Sequence, residues 1–282
     1  MFDANLDTSS PPEQGRGGDF PRLFQLDLPR LAAGKVFPEQ LDLSAIRRVV
    51  DVACGTGEWV RAATLAFPQL ELMGIDGSNV LLDRADTRAS DRLTFAVMKN
   101  VTPPFDLPVG SVDLMNLRFV AHRYLVTHFP ALVAECLRIV RPGGIILLTE
   151  GDLPITSSPA CERLSNLLSE ALGQTGQNLF PPIPSGRNFL IAPLLPRLLV
   201  DAGCQHITQA MYVTNFGQGT PAHADIAGEY HRICRLAQPV LLRLNLSTQP
   251  EMEQLQQGIS SELQAETFRG VGFYRAVWGR KP

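Results

Sequence analysis

The feature that most constrains the fold is a regular alternation of short apolar runs with helical segments between Ile46 and Asp152. The apolar runs are rich in β-branched and aliphatic residues and are typical of buried strands, at residues 47–53, 71–76, 93–100, 112–120 and 145–152. Segments with helical spacing separate several of them, including one from about Thr127 to Val140. Strands that alternate with helices in this way predict a parallel, doubly wound sheet with right-handed crossovers.

The pattern changes after Asp152. Residues 161–174 and 196–204 have helical spacing, whereas residues 206–216 and 270–279 are typical of strands. The segment between these two strands is long enough for two helices. The second half of the chain therefore does not continue the alternation of the first half.

Composition and charge exclude several classes of function. The 282 residues include 25 Lys and Arg against 28 Asp and Glu, a net charge of −3 without a concentrated basic run, so no nucleic-acid partner is expected. The sequence contains no run of 18 or more apolar residues, so no membrane span is expected. The first 20 residues lack the apolar region of a signal peptide. The five scattered cysteines form no CxxC pair, which predicts reduced thiols in a cytoplasmic protein.

The turn after the first predicted strand is the clearest functional motif. In VVDVACGTGEWV (residues 49–60), an apolar strand passes through Asp51, Gly55 and Gly57 into a helix. Such a turn leaves backbone N–H groups free at the helix N-terminus, and glycines let a ligand approach the backbone closely. Since ligands of doubly wound sheets bind outside the carboxyl ends of the strands, we expect a ligand at this turn.

Polar residues collect at the carboxyl ends of the other predicted strands as well. They are Asp76 after the second strand, Asn100 after the third, Asn116 to Arg118 in the fourth, and Glu150 with Asp152 in the fifth. Asp76 lies about twenty residues beyond the glycines, where a carboxylate can accept hydrogen bonds from both hydroxyls of a ribose. Dinucleotides and S-adenosylmethionine both present such a ribose. The dinucleotide pattern requires Gly or Ala at the position of Val60, which disfavours a nicotinamide oxidoreductase.

The order of these motifs resembles that of the class I S-adenosylmethionine-dependent methyltransferases. VVDVACGTGEWV is similar to their first motif, LMGIDGS to the second, and LRIVRPGGIILLTEGD to their Pro-Gly-Gly turn and fifth strand. The resemblance covers about residues 40–155, and residues 206–216 and 270–279 match the family's last two strands. It implies an α/β fold: a Rossmann-like, seven-stranded, doubly wound sheet, mostly parallel with an antiparallel last strand, plus a helical cap.

The resemblance also implies which residues hold S-adenosyl-L-methionine. Asp51 would approach the methionine amino group, Gly55 and Gly57 would let the cofactor lie flat, and Asp76 would hold the ribose. Asn100 replaces a common acid beside the adenine, and Ala53 replaces the usual first glycine of the motif. The predicted cofactor site is completed by Ala53, Gly77, Asn100, Val101 and Asn116.

Methyl transfer by in-line displacement requires the protein mainly to align the acceptor and to exclude water. A base is needed only if the acceptor must lose a proton, and the catalytic candidates are His122, Glu150 and Asp152. A surface histidine and solvated or helix-capping acids are the alternative interpretations. Arg118 and Tyr124 are candidates for orienting a polar group of the acceptor, with loop or salt-bridge roles as the alternative. No metal site is predicted.

The remaining segments predict a tail, a lid and a cap around one methyltransferase domain at residues 46–282. Residues 1–20 are rich in Pro, Gly and Ser and predict a flexible tail, and residues 21–45 predict a helical lid. Two cap segments, 155–200 and 217–265, are expected to cover the carboxyl edge of the sheet, with acceptor contacts from Phe180, Phe189 and Tyr230. Their apolar character favours a small apolar or aromatic acceptor, as in secondary metabolism, although core packing or a homodimer interface would also explain it.

Two functions therefore remain after the oxidoreductase is disfavoured. The leading hypothesis is a small-molecule methyltransferase. The alternative is a methyltransferase fold that binds S-adenosylmethionine without transferring its methyl group, as a rearrangement catalyst or a regulatory partner, because a fold alone does not fix an activity.

Overall fold

A computed structural model describes residues 36–77, 90–98, 103–121, 124, 126–175 and 191–282. Its strands are β1 (Arg48–Val52), β2 (Glu71–Asp76), β3 (Leu93–Val97), β4 (Val112–Arg118), β5 (Val140–Gly151), β6 (Ile155–Thr156), β7 (Gln205–Asn215) and β8 (Gly270–Arg280). The α-helices of the described residues are α1 (Glu58–Ala66), α2 (Phe129–Ile139), α3 (Pro159–Gln174), α4 (Leu195–Asp201), α5 (His223–Arg243) and α6 (Gln249–Leu263).

The strands form one sheet in which a single strand runs against the others. The order is β3-β2-β1-β4-β5-β8, with β6 and β7 also paired to β8. The first five strands are parallel, and β8 pairs antiparallel with β5, β6 and β7. This confirms the predicted α/β sheet with an antiparallel last strand; the two-residue β6 is an addition that its length hid from sequence patterning. The order in which strands are added to the sheet reverses between β1 and β4, which is the switch point where open α/β sheets bind ligands.

Residues on the strands alternate between two hydrophobic cores on opposite faces of the sheet. Val49 and Leu114 face α1, whereas Val50 and Met115 belong to the core that contains α2 and α4. Because side chains alternate along a strand, the residues two positions beyond Val49 and Leu114 return to the face of α1. The face of α1 is therefore the one on which the polar ends of β1 and β4 lie.

A third hydrophobic core holds together a separate layer, the helical unit of α3, α5 and α6. Buried residues of these helices pack with Phe216 and Phe268, which lie just after β7 and just before β8. Tyr274 of β8 pairs with Gly151 at the end of β5, so the earlier residues of β8, from Gly270, extend beyond that end. Both connections therefore leave the sheet beyond the end of β5. The helical unit is thus attached at the carboxyl edge of the sheet.

Hydrogen bonds at the start of α3 link it to α6. Ser158 caps α3 by accepting from the backbone N–H of Cys161 at 3.0 Å, and its hydroxyl donates to Glu262 Oε2 at 2.6 Å. Glu262 Oε2 also accepts from the backbone N–H of Ala160 at 3.0 Å. One carboxylate of α6 therefore satisfies groups at the N-terminus of α3, as expected for an anion at that helix end.

Some expectations differ from the structure in detail. Residues 36–45 contain turns and no helix, so the described part of the predicted lid is not helical; the rest of that segment lies outside the described residues. The segment RPGG belongs to β5, which begins at Val140, because Val140 pairs with Val112 across an irregularity in the ladder. Among the described residues, no helix is long and apolar enough to cross a membrane.

Candidate active site

The turn after β1 is built from left-handed backbone conformations and is tied to β2. Ala53, Gly55 and Gly57 have φ values of 59°, 58° and 74°. The backbone N–H of Gly55 donates to Asp76 Oδ2 at 2.9 Å, and that of Cys54 donates to the carbonyl of Ile75 at 3.0 Å. The glycine turn and the predicted ribose-binding carboxylate are therefore in direct contact.

The two glycines nearest this turn serve different purposes. A Cβ atom added to Gly55 would meet no atom within 4 Å, whereas one added to Gly74 would lie 2.7 Å from Cys54 Sγ and 2.8 Å from the ring of Phe95. Gly74 is therefore required by packing within the sheet. Gly55 leaves open space in front of the turn, as a close approach by a ligand requires.

Asp51 and Asn116 form a buried polar pair between β1 and β4. Asn116 Nδ2 donates to Asp51 Oδ1 at 2.8 Å, and the two side chains are 0% and 4% exposed, respectively. Burial raises the pKa of Asp51 to about 7, although nearby Arg118 and the bond from Asn116 act in the opposite direction. Asn116 Oδ1 is buried without a hydrogen-bond partner among the described residues, so it remains available to a donor on a ligand.

Arg118 ends β4 on the same face as Asp51 and lies between aromatic rings. Its guanidinium carbon lies 5.3 Å from the ring centroid of Trp59 and 5.6 Å from that of Phe119. Burial lowers the pKa of Arg118 to about 10, opposed by Asp51 and Tyr274, so the side chain is a cation at neutral pH. Its Nη1 atom is buried and has no hydrogen-bond partner in the described part of the chain.

Phe119 and Tyr274 continue this aromatic surface toward β8. Phe119 has a φ of 51°, which is rare for a bulky residue, and its ring lies edge-on to Tyr274 at 6.2 Å. Tyr274 stacks on Tyr212 of β7 at 4.7 Å with an interplanar angle of 10°. We call Trp59, Phe119, Tyr212 and Tyr274 the aromatic wall. Phe119, Tyr212 and Tyr274 of this wall come from the part of the sheet that lies on the other side of β1 from β2.

Glu150 supports the loop that follows β4. Its Oε1 atom accepts from the backbone N–H groups of Val120 at 2.6 Å and Ala121 at 2.9 Å. Burial raises the pKa of Glu150 to about 8, partly opposed by those two hydrogen bonds. The structure thus shows Glu150 as a clamp on the backbone; its role as the base stays a prediction.

The other predicted site residues differ in what the structure shows of them. Asp152 is half-buried just beyond β5, and Gly77 is exposed directly after β2, both at the expected edge. Asn100, Val101, His122, Phe180 and Phe189 lie outside the described residues. No group of three or more His, Cys, Asp or Glu side chains in the described ranges is arranged to hold a metal ion.

Two predicted acceptor contacts also pack in hydrophobic cores. Tyr124 is 1% exposed and packs edge-on against Phe129, 6.0 Å away, in the core on the α2 face. Tyr230 lies inside the helical unit with its ring 6.4 Å from that of Phe216. Both rings therefore contribute to core packing, and their contact with an acceptor stays a prediction.

Sequence reasoning missed the aromatic wall. Trp59 was recognised only as an apolar position of α1, yet its indole N–H donates to the carbonyl of Val36 at 2.8 Å and its ring contacts Phe37 at 5.1 Å. Tyr212 and Tyr274 come from strands more than 90 residues beyond β4. Their position beside Arg118 depends on the pairing of β7 and β8, which local sequence patterns do not specify.

Comparison with known proteins agrees with this geometry. Residues 49–144 match the sequence model of a family described as a methyltransferase domain. Together with the motifs and the sheet topology, this match supports a class I S-adenosylmethionine-dependent methyltransferase with S-adenosyl-L-methionine as its cofactor.

Relatives with assigned functions match mainly in the first half of the chain. A ubiquinone/menaquinone biosynthesis C-methyltransferase of Dinoroseobacter shibae is 30% identical over 145 residues, which are 49% of this chain and 52% of the relative. The trans-aconitate 2-methyltransferase of Deinococcus radiodurans is 29% identical over 119 residues, 42% of each chain. This chain spans about half the length, or less, of the curated relatives it matches.

Solved structures share the fold over most of the chain. A protein of Anabaena variabilis, assigned as a methyltransferase of an antibiotic biosynthesis pathway, superposes with a TM-score of 0.55 at 16% identity, covering 95% of this chain and 99% of that one. The YcgJ protein of Bacillus subtilis gives a TM-score of 0.51 at 14% identity, covering 84% of this chain and 93% of its own. At these identities the likeness shows the fold alone.

Proposed function

We propose that this protein transfers the methyl group of S-adenosylmethionine to a small apolar or aromatic molecule. The observation that carries the proposal is the contact of Asp76 with the open turn at Gly55. A buried carboxylate fixed against a glycine turn provides a place for a ribose beside a backbone that a ligand can approach.

The residues present fit the cofactor along the carboxyl edge. Asp76 would accept from the ribose hydroxyls, and the space in front of Gly55 would take the part of the cofactor that follows. Asn116 Oδ1 and Asp51 would accept from the ammonium group at the methionine end, since Asn116 Oδ1 has no partner of its own among the described residues. Asn100 and Val101 remain the proposed contacts of the adenine.

Buried acids at this edge suit a cationic ligand. Asp51 and Asp76 are both almost fully buried at neighbouring strand ends, and Asp76 raises the pKa of Asp51 in addition to the larger effect of burial. A positive charge placed between them would favour the ionised form of Asp51. Ligand binding near neutral pH is therefore expected to release a proton from Asp51.

The bound cofactor supplies a methyl group on a sulfonium, an electrophile that needs no activation by the protein. The chain contributes alignment and the exclusion of water. The aromatic wall offers flat apolar surfaces for an acceptor. The helical unit begins at the same edge, and we propose that cap segments 155–200 and 217–265 close over the acceptor.

If the acceptor must lose a proton, the structure favours different roles for the acids of β5. Glu150 already accepts two backbone hydrogen bonds, so we assign it to positioning the loop after β4. Asp152 is half-buried at the strand end and, with His122, remains a proposed base. The names of the relatives cover acceptors in quinone biosynthesis and trans-aconitate. An aromatic acceptor fits an edge lined by aromatic rings, whereas trans-aconitate, a tricarboxylate, would need a cationic partner.

The direct test is turnover. Purified protein is incubated with S-adenosylmethionine labelled on the methyl group and a panel of small apolar and aromatic metabolites, and S-adenosylhomocysteine is quantified. We expect S-adenosylhomocysteine and a labelled product with at least one acceptor. Tight cofactor binding without S-adenosylhomocysteine from any acceptor would support the non-transferring alternative instead.

The ribose assignment is tested by Asp76→Asn. The asparagine oxygen can still accept from the N–H of Gly55, but the charged acceptor for the ribose is lost, so affinity for S-adenosylhomocysteine should drop about 10- to 100-fold, as for hydrogen bonds to a charged group. Calorimetric titration measures this affinity. The matched control is Asp113→Asn, because Asp113 accepts backbone N–H bonds from Arg47 and Arg48, each at 2.8 Å, at the opposite edge of the sheet. Equal losses in both variants would contradict the assignment.

A further inference from the structure

Arg118 is a half-buried cation whose guanidinium has no carboxylate or carbonyl acceptor among the described residues. It makes no ion pair with any described residue, and its Nη1 atom is buried without a hydrogen-bond partner among them. Burying an unpaired charge is costly, and such groups are normally paired or placed where they meet a ligand. A structural arginine at this position would be expected to have a carboxylate or carbonyl acceptor, as Arg138 has in Glu135.

The acid that acts on Arg118, Asp51, forms no ion pair with it. Asp51 acts on Arg118 electrostatically, but its Oδ1 accepts from Asn116, and burial raises the pKa of Asp51 to about 7. Tyr274, the other group that acts on Arg118, has its own pKa raised to about 12 by burial and so is uncharged at neutral pH. The positive charge of Arg118 therefore persists on the α1 face of the site.

The guanidinium is also held in a defined orientation. Trp59 and Phe119 lie 5.3 and 5.6 Å from its central carbon, and arginine stacks favourably on aromatic faces. The ring of Phe119 reaches this position through a left-handed backbone with φ of 51°, a conformation that costs free energy for a bulky residue. Strain of this kind collects at ligand sites, where the surrounding structure fixes the geometry.

We propose that Arg118 is the recognition site for a carboxylate that enters the active site. The carboxylate belongs either to the methionine end of the cofactor or to the acceptor. A guanidinium pairs with a carboxylate through two parallel hydrogen bonds, and the buried Nη1 supplies one of the two donors. The assignment rests on the proposed function, since it concerns a ligand of the same site.

The experiment compares Arg118→Met and Arg118→Lys with wild type in two arms. In the first arm, calorimetry measures the affinity for S-adenosylhomocysteine and for its decarboxylated analogue, which retains the ammonium group. In the second arm, turnover and binding are measured for trans-aconitate, for benzoate and for the uncharged benzamide. Arg275→Met is the matched control, because Arg275 also has a buried Nε without a described partner but lies in register with Glu150, on the opposite face from Asp51.

We expect Arg118→Met to lose about 10- to 100-fold for the carboxylate ligand in one of the two arms, with Arg118→Lys in between, while Arg275→Met stays within about threefold. A loss for S-adenosylhomocysteine but not for its decarboxylated analogue identifies the cofactor carboxylate. A loss confined to trans-aconitate or benzoate, with benzamide unaffected, identifies the acceptor. Thermal unfolding without ligand should show Arg118→Met at least as stable as wild type, because the variant removes an unpaired, half-buried charge.

The proposal is overturned if Arg118→Met matches wild type for every ligand in both arms. This includes the case in which trans-aconitate and benzoate bind neither wild type nor the variant. It is also overturned if Arg118→Met is strongly destabilised without ligand and Arg118→Lys restores stability but affinity differs in neither arm, since that pattern marks a structural arginine. Wild type that binds neither S-adenosylhomocysteine nor its analogue would instead contradict the proposed function.

Discussion

Ala53 is one of the non-glycine residues that adopt a left-handed backbone conformation. Its φ of 59° places an alanine in the left-handed region, at the position of the usual first glycine of the methyltransferase motif. A residue other than glycine in that region costs about 1–2 kcal/mol of folding free energy. Compared with glycine, alanine recovers part of this cost because glycine loses more conformational entropy on folding. The methyl group of Ala53 is therefore accommodated at some expense in stability.

Ala53→Gly is expected to stabilise the protein by up to about 1 kcal/mol, because glycine adopts the left-handed conformation without steric cost. Thermal and denaturant unfolding measure the change. Ala63→Gly in the middle of α1 is the opposite case and should destabilise by about 1 kcal/mol or more, since glycine lowers helix stability. A destabilised Ala53→Gly variant would show that the conformation at residue 53 carries no strain.

Asp51 makes stability depend on pH in a defined direction. Its pKa of about 7 in the folded protein lies above the ordinary aspartate value of 3.8, so the folded protein holds this proton more tightly than the unfolded chain. The resulting contribution is fully present below about pH 4 and is lost as the pH rises to about 7. The unliganded protein should therefore lose stability from this group across that window.

Asp51→Asn removes this titration, so its stability relative to wild type should improve as the pH rises from about 4 to 7 and then level off. Melting temperatures of both proteins at several pH values provide the measurement. Asp113→Asn is the contrasting case: its stability relative to wild type should fall as the pH rises toward about 4 and stay level from there to 7, because hydrogen bonds from Arg48 and Arg141 outweigh burial and hold the pKa of Asp113 below its usual value. Parallel pH profiles of Asp51→Asn and wild type would contradict the raised pKa.

At the scale of elements, the end of β5 controls the loop that follows β4. Glu150 reaches across from β5 and accepts the N–H groups of Val120 and Ala121, directly after Arg118 and Phe119. The backbone of Phe119 donates to the carbonyl of Thr149 at 2.8 Å, which adds a second link between the same two elements. The conformation of the loop beside the aromatic wall is thus set by the neighbouring strand.

Glu150→Ala should destabilise the protein by about 2–4 kcal/mol, because it leaves the buried N–H of Val120 and the half-buried N–H of Ala121 without an acceptor. Glu150→Gln keeps an acceptor oxygen, so its free energy of unfolding should stay within about 1 kcal/mol of wild type. Its stability relative to wild type should increase as the pH approaches 8, because wild type loses the stability that comes from the raised pKa of Glu150. Denaturant unfolding at pH 6 and pH 8 separates the two variants. Equal losses in both would show that the charge, and not the acceptor, holds the loop.

At the scale of the whole molecule, the helical unit and the sheet have separate cores but share the carboxyl edge. α3, α5 and α6 pack around Phe216 and Phe268, whereas α4 packs with α2 on the sheet. The predicted cap segment 155–200 is therefore divided, since residues 191–200 belong to the sheet core and α3 belongs to the helical unit. Of these two described parts of the segment, the helical unit is the one attached where the site lies.

A crystal structure with bound S-adenosylhomocysteine should place atoms of cap segments 155–200 or 217–265 close to the sulfur of the ligand. The physical reason is that an open sheet edge would leave the sulfonium and the acceptor in water, whereas alignment requires an enclosed site. A ligand whose sulfur side is met by neither segment would contradict the lid, and a second subunit over that edge would establish the dimer alternative.

The sequence by itself determined the order and direction of the main elements. Period-two and period-3.6 patterns placed β2 at residues 71–76, as observed, and β1, β4, β7 and β8 within two residues of their ends. It also placed Asp51, Gly55 and Asp76 at one edge, because parallel strands bring their carboxyl ends together wherever the helices lie. These features follow from local periodicity and from the rule of right-handed crossovers.

Which side chains meet at that edge depends on the tertiary structure. Tyr124 and Tyr230 suited a polar site by residue type but lie in hydrophobic cores. Trp59 is an apolar position of α1, as its spacing indicated, and its ring also contacts Arg118. Arg118, Asp51 and Tyr274 come together because β1, β4 and β8 each present one residue on the α1 face, and that depends on strand register. Register is fixed by packing and pairing across the whole sheet, which a local pattern cannot encode.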